Sequence, residues 1–235
     1  MAKSEVIKDQ STRTPQTQAS EAIPPNPLEW VQKHRRLASA LAIALLAVAG
    51  GAWLTISTQE RKEAAGQEAM NGARAAFDAY NLPAAAAAFQ DVIQRYSGTR
   101  AAREASIALN QVRLVNGQNE LAIVSLRAFI DDNPGQVYQV PASALVGSAL
   151  ENVNRPSEAA DAFLAAAAGA RVDYMKAEYL LAAGRALTAA GRTEEAEKAF
   201  RTITDEYAAT PSVSEATVRL SELVKGGYSD GPEGL

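Results

Sequence analysis

An alanine that recurs every 37 residues, from residue 85 to residue 196, restricts the folds open to this chain. The recurring alanines are Ala85, Ala122, Ala159 and Ala196. Four positions later stand the bulky apolar residues Phe89, Leu126, Phe163 and Phe200. Seven positions later stand Val92, Phe129, Ala166 and Ile203. Apolar residues at i, i+4 and i+7 share one face of a helix, so each unit contains an amphipathic helix. A fixed period of this length predicts stacked structural repeats.

Each unit also has a position for a turn and a position for a close helix approach. Five positions before the alanines stand the turn-compatible residues Tyr80, Gly117, Asn154 and Gly191. Twelve positions before them stand Ala73, Asn110, Gly147 and Gly184, of which three are small. A small residue on one helix lets a bulky residue of a second helix pack closely against it. One such pair cannot bury its apolar face alone, so we predict an all-α solenoid of about four helix pairs.

The segment "AAGRALTAAGRTEEAEKAF", residues 182–200, resembles a tetratricopeptide repeat (TPR). The residues at the positions that this family expects are Gly184, Leu187, Gly191, Ala196 and Phe200. The resemblance covers about residues 67–225, although the period exceeds the usual value of about 34. The first repeat departs most from the family pattern, with Tyr80 at its turn. The resemblance implies that the first helix of each pair lines a concave surface.

The repeat register sets the predicted domain boundaries. The predicted repeats and capping helix span residues 67–103, 104–140, 141–177, 178–211 and, for the cap, 212–226. We expect a helical connector over 59–66 and a flexible tail over 227–235. Residues 1–25 are polar and predict a disordered tail on the cytoplasmic side.

Residues 37–57 form an uncharged, apolar run that directly follows a basic cluster. A helix of this length spans about 31 Å, the thickness of a bilayer hydrocarbon core. Trp30 and Trp53 stand near its two ends, as interfacial anchors do. We therefore predict a transmembrane helix with a short preceding turn over 26–58. A cleaved signal peptide is the alternative, since Ala47-Val48-Ala49 matches a cleavage site; the apolar run, however, continues past Ala49.

Orientation and helix docking follow from the flanks and faces of this run. The basic residues Lys33, Arg35 and Arg36 abut its N-terminal end, which predicts a cytoplasmic N-terminus and a periplasmic C-terminal domain. Its small residues fall on one helical face: Ala40, Ala44, Ala47, Gly51 and Thr55. Such a face allows another membrane helix to dock closely. An alanine-rich composition that produces a stripe by chance is the alternative.

The composition argues against catalysis, metal sites and nucleic-acid binding. The chain has no cysteine and one histidine, His34, so thiolate sites and histidine-based triads are excluded within one chain. Asp131-Asp132 and Glu194-Glu195 fall at predicted helix ends, where solvated carboxylates are ordinary. The repeat region is net negative with dispersed charges, whereas phosphate binding needs clustered Lys and Arg. We expect neither an enzyme nor a bound cofactor.

A protein-binding groove is the more plausible site. The repeat register places Asn71, Arg74, Gln111, Ser148, Glu178 and Arg185 on the concave face. This set is mixed in charge and lacks the cluster with which chaperone-binding repeats hold a C-terminal carboxylate. The groove therefore binds an extended protein segment of another kind, or it is an ordinary solvated surface.

Repeat 3 is unusually poor in charge. Residues 133–150 contain none, and "AFLAAAAGA" (162–170) contains none. A helix pair with a solvated outer face normally shows charges there. Either a partner or a second copy of the chain covers this repeat, or its alanine-rich helices simply pack tightly.

The whole layout is similar to that of single-span periplasmic repeat proteins that attach to the bacterial Sec translocon. That resemblance implies an accessory subunit that binds proteins beside the inner membrane. An outer-membrane assembly partner or an energy-transducing complex is an alternative site of attachment. A second hypothesis is a chaperone-like periplasmic module that is released by cleavage and binds unfolded chains.

Overall fold

The computed structural model describes residue 32 and residues 34–229. Within residues 34–229 the secondary structure is helical, without a strand. The helices are α1 (Arg35–Asp78), α2 (Leu82–Arg95), α3 (Arg100–Val115), α4 (Asn119–Asp131), α5 (Gln136–Asn152), α6 (Pro156–Gly169), α7 (Asp173–Ala189), α8 (Thr193–Glu206) and α9 (Ser212–Ser229). The chain divides into two compact units, Met1–Leu54 and Thr55–Leu235.

The described part of the first unit is the beginning of α1. This helix is long and apolar enough to cross a membrane, and its most apolar stretch has a mean hydropathy of 2.1 with no residue buried. Signal sequences share this length and composition. Trp53 is exposed on the helix, whereas Trp30, Lys33 and residues 1–25 lie outside the described residues.

The second unit alternates first and second helices along the chain. The C-terminal part of α1 pairs with α2, then α3 with α4, α5 with α6 and α7 with α8, and α9 packs on α7 and α8. This arrangement confirms the predicted all-α fold of four helix pairs followed by a terminal helix.

The turn inside every pair has the same backbone geometry. Its central residues have positive φ: Tyr80 (56°), Gly117 (73°), Asn154 (57°) and Gly191 (73°). The next residue donates its N–H to a carbonyl of the first helix, as in Arg192 N to Leu187 O at 2.9 Å. Its own carbonyl accepts from the repeat alanine, as in Ala196 N to Arg192 O at 3.0 Å. The motif thus ends one helix and starts the next.

The alanines and bulky residues of the repeat form the core. Ala85, Ala122, Ala159 and Ala196 are fully buried, and the bulky residues four positions later are buried beside them. Gly147 and Gly184 lie where a neighbouring ring needs the space. A Cβ on Gly147 would stand 2.7 Å from the Phe163 ring, and one on Gly184 would overlap Phe200. The expected small-to-bulky packing is therefore present in repeats 3 and 4.

Repeat 2 differs because its close-approach residue is polar. Asn110 is 1% exposed, and its amide donates to Ser106 O at 2.8 Å and to Ser125 Oγ at 3.3 Å. Its carbonyl accepts from Arg113 at 3.0 Å. Within the described residues the buried core forms two clusters, one over α1–α3 and one over α4–α9, so this polar group lies on α3 where they meet.

The helix ends correct the boundaries drawn from the repeat register. α3, α5 and α7 begin at Arg100, Gln136 and Asp173, so the boundaries at 104, 141 and 178 lie inside helices. Apolar spacing locates a helix face, but caps such as Thr99, whose hydroxyl accepts from Ala102 N at 3.1 Å, locate its start. Likewise α9 continues to Ser229, beyond the predicted start of the tail at 227.

Tight packing accounts for most of the uncharged stretch in repeat 3. α5 contacts α3, α4 and α6, and six of its residues between Val140 and Leu150 are buried. At the N-terminal end of α5, the apolar side chain of Val137 is 67% exposed.

Candidate protein-binding surface

Successive first helices line a shallow groove on the second unit. Its N-terminal part is a depression of about 460 Å³ between α1, α3 and α5. Arg74 and Phe77 contribute from α1, Ile107 and Gln111 from α3, and Tyr138 from α5. Among the first helices and the terminal helix, α3 contacts α5 directly and α7 contacts α9. We call this surface the first-helix groove.

Ion pairs occupy equivalent positions at the two ends of this groove. Arg74 pairs with Glu104 at 2.9 Å, and Arg185 pairs with Glu215 at 3.4 Å. The second pair lies three repeat periods after the first in the sequence. At the two intervening repeats the equivalent residues are Gln111 with Pro141 and Ser148 with Glu178. The groove is thus paired and charged at its ends and poor in charge at its centre.

These ion pairs shape the surface more than they stabilise it. The side chains of Arg74 and Glu104 are 51% and 34% exposed, and pairs of this kind contribute about 0–1 kcal/mol. Their guanidinium and carboxylate groups stay accessible to a ligand. At the C-terminal end, Arg185 lines a further depression of about 440 Å³ together with Arg219 and Glu222.

The structure brings together only some of the residues predicted for the groove. Arg74 and Gln111 line the same depression, and Arg185 lines the C-terminal one. Asn71 and Glu178 are exposed on α1 and α7. Ser148 is half-buried, and its hydroxyl donates to Ala144 O at 3.2 Å within α5.

Sequence reasoning missed three residues that the groove contains. Glu104 pairs with Arg74, Tyr138 lies with its ring centroid 5.7 Å from the Arg103 guanidinium, and Ile107 lines the depression. The repeated spacing of Arg74–Glu104 and Arg185–Glu215 is a sequence signal for the pairs. The ring contact of Tyr138 had no such signal, because no other repeat carries it.

Arginine hubs at the starts of α6 and α8 connect neighbouring repeats. Arg192 bonds Glu195 in its own repeat at 2.6 Å and Asp161 in the preceding repeat at 2.7 Å. Arg155 occupies the equivalent position and bonds Glu158 at 2.7 Å. These hydrogen bonds hold the pKa of the Glu158 and Glu195 carboxyls below the ordinary value and raise that of Arg192. Each carboxylate thus fixes the arginine of its own repeat, and Arg192 reaches Asp161 in the preceding repeat.

Other predicted sites are located on α1. Ala40, Ala44, Ala47 and Gly51 are exposed on the described part of the first unit, and Thr55 is the first residue of the second unit.

Within the described residues no group of three or more His, Asp or Glu side chains has the arrangement of a metal site. Asp131 and Asp132 are exposed at the end of α4, and Glu194 and Glu195 lie in the first turn of α8.

Comparison with solved structures identifies the fold. No protein-family model matches the chain, and no curated protein matches it either. The chain is similar to the protein in the crystal structure of MamA protein, which is TPR-like, with a TM-score of 0.50 and 21% identity. The match covers 68% of this chain and 86% of that one. Together with the helix pairs described above, it shows a TPR-like all-α repeat fold.

Proposed function

We propose that this chain is a non-enzymatic, membrane-anchored adaptor that binds protein segments through its first-helix groove. The observation that carries this proposal is the groove itself, with an ion pair at each end and few charges between them. Such a surface offers apolar contact and charged ends to an extended or helical segment, whereas the described residues offer no arrangement suited to a metal.

The proposed location is the periplasmic side of a bacterial inner membrane. The apolar, uncharged run 37–57 follows the basic residues Arg35 and Arg36, which favours a cytoplasmic N-terminus. Only residues 58–66 separate this run from the first predicted repeat. An accessory subunit of an integral complex fits this layout, and the Sec translocon is our first candidate.

Affinity purification in a mild detergent tests the adaptor role. The full chain, tagged at its C-terminus, should recover a stoichiometric membrane partner from its native cells. Gln111→Lys adds a charge to the N-terminal depression of the groove and should abolish recovery. Gln94→Lys, the same change at an exposed position of α2, is the matched control and should retain it. Recovery of the chain alone from unmodified cells contradicts the proposal.

Release by cleavage is the second candidate, and the sequence Ala47-Val48-Ala49 favours it. The released module would bind unfolded chains independently of any complex. Mass spectrometry of the mature protein separates the two candidates. A retained anchor leaves the full 24.8 kDa, whereas cleavage after Ala49 removes the mass of residues 1–49.

A further inference from the structure

An apolar pocket of about 310 Å³ lies beside the first-helix groove, at the junction of repeats 3 and 4. The end of α6 and the starts of α5 and α7 surround it. Its apolar lining is provided mainly by Val137, Val140, Pro141, Val172 and Met175. Val137 and Val172 are 67% and 48% exposed, so the pocket is open to solvent. We call it the junction pocket.

Comparison with the junctions of repeats 1 and 4 shows what fills this space there. The cap residue that ends the second helix is Tyr96 in repeat 1 and Tyr207 in repeat 4, and both rings pack against the core. The equivalent cap in repeat 3 is Ala170. The repeat register therefore puts a methyl group where two sister junctions have a phenol ring.

The residue thirty positions earlier compensates only in part. Tyr96 lies against Gly66, where an added Cβ would stand 3.2 Å from the tyrosine Cβ and Cγ. The equivalent of Gly66 at the junction of repeats 3 and 4 is Val140. Val140 reaches towards the end of α6, since a Cβ on Gly169 would stand 2.7 Å from its Cγ2. A valine side chain is smaller than a phenol ring, and the junction pocket is left beside it.

The rim of the junction pocket carries an arginine with spare hydrogen-bonding capacity. Arg171 donates one N–H to Gln136 Oε1 at 3.1 Å, and Gln136 donates to Gly169 O at 3.0 Å. Among the residues that the structure describes, Arg171 forms no ion pair with a carboxylate, unlike Arg127, Arg155 and Arg192. Guanidinium groups form five hydrogen bonds and favour planar carboxylates.

We propose that the junction pocket binds an aromatic side chain of a protein partner whose neighbouring residue presents a carboxylate to Arg171. The partner's ring takes the place that Tyr96 and Tyr207 fill at the sister junctions. Val137 and Pro141 line both this pocket and the first-helix groove, so a segment lying on the groove reaches it. This inference deepens the proposed adaptor function and names the chemistry of its ligand.

The size of the pocket favours a side chain over a lipid tail. Its volume is at the lower end of the range of roughly 300–1,000 Å³ that is typical of ligand sites. An aromatic ring buries a large apolar area with few rotatable bonds, which makes it an efficient anchor. The Arg171 guanidinium supplies the charge complementarity for an acidic neighbour.

Methionine-methyl NMR of the full chain in lipid nanodiscs tests the proposal. The chain has three methionines, of which Met175 lines the junction pocket, whereas Met70 is buried beneath the N-terminal depression of the groove and reports on binding there. The probe is the acidic tripeptide N-acetyl-Glu-Phe-Glu-amide. Titration should shift the Met175 signal and leave that of Met70 in place. Replacing the probe's Phe with Ala should weaken binding roughly tenfold or more, from the lost burial of the ring.

Substitutions of the pocket itself give a second readout. Ala170→Tyr restores the sister-junction ring and should abolish the shift of Met175, while Ala128→Tyr, at an exposed position on α4, should preserve it. If Ala170→Tyr does not fold, the double variant Ala170→Tyr/Val140→Gly is used in its place. This double variant reproduces the pairing of Tyr96 with Gly66. Arg171→Gln should weaken the binding of the acidic probe roughly threefold and leave the binding of a lysine-flanked probe unchanged. Arg201→Gln is the control for this change of charge.

Three results would overturn the proposal. One is a Met175 signal that no concentration of the acidic Phe probe shifts. Another is binding that persists in a folded Ala170→Tyr variant. The third is a shift caused by decanoate and not by the peptide, which would make the pocket a lipid site. The titration needs no native partner, so a negative titration would not contradict the adaptor role. Likewise, a failed co-purification would not contradict binding at the junction pocket.

Discussion

The ring of Phe200 occupies the space that a side chain on Gly184 would need, which joins α7 to α8 by direct contact of a ring with a helix backbone. Gly184→Leu should therefore destabilise repeat 4 by about 1–3 kcal/mol or more, because the ring has no room to move in a packed core. Urea unfolding of the full chain in mild detergent, followed by circular dichroism, measures the change.

A pair of alanine substitutions sharpens this test. Gly184→Ala should lower stability, whereas Gly72→Ala, at an exposed position on α1 with no atom within 4 Å of its Cβ, should raise it by about 0.5–1 kcal/mol. Equal effects of the two changes would show that the packing of repeat 4 differs from the one described.

The turn residues with positive φ give a second prediction. Tyr80 has a φ of 56° and is 73% exposed, so its ring contributes little packing while its backbone is strained. Tyr80→Gly should raise the free energy of unfolding by about 0.5–1 kcal/mol. Gly191→Ala, at the equivalent turn with φ of 73°, should lower it by about 1–2 kcal/mol. Thermal unfolding of both variants checks the opposite signs.

The buried Asn110 gives a third prediction. Asn110→Ala removes the donor to Ser125 and the acceptor for Arg113, whose pKa is lowered by burial. The free energy of unfolding of this variant should fall by about 1–3 kcal/mol, because the hydrogen-bonding partners of a buried group are left unsatisfied. Asn152→Ala removes an exposed amide and should change stability far less. Hydrogen exchange across α3 and α4 should rise in the first variant; unchanged exchange would mean that Asn110 does not hold the two helices together.

The arginine hubs predict how stability depends on pH. Arg192 holds the pKa of Glu195 below its ordinary value of 4.5 by a hydrogen bond, so this carboxylate stabilises the fold above that value. The stabilisation is lost as the pH falls below about 4.5 towards the lower folded pKa. Arg192→Gln should therefore reduce the loss of stability between neutral and acid pH.

The control for this experiment is Arg61→Gln, at an exposed position on α1. It should keep the acid dependence of the unmodified chain. Urea midpoints at several pH values between 7 and 3 compare the three proteins, and an acid dependence that is the same in all of them would contradict the role of Arg192.

The repeat architecture was predictable from the sequence because its causes are local. The helix pair, the left-handed turn at Gly191 and the packing of Phe200 on Gly184 all lie within one period of the chain. A small residue, a turn and a bulky residue at fixed spacing predict a helical hairpin. The pattern can be recognised in the sequence because it repeats. The apolar run of α1 was equally predictable from the sequence, since its length and hydropathy alone define it.

The surface features depended on contacts between repeats, which no local pattern specifies. The pairing of Arg74 with Glu104 joins side chains from different repeats. Most of the uncharged residues of α5 are buried or half-buried because neighbouring helices pack tightly on it. The junction pocket exists because Ala170 and Val140, from separate helices, together fill less space than Tyr96 does over Gly66. The sequence alone determined the repeating helix pair, whereas the stacking of repeats decided which side chains meet, because stacking brings together residues about thirty positions apart.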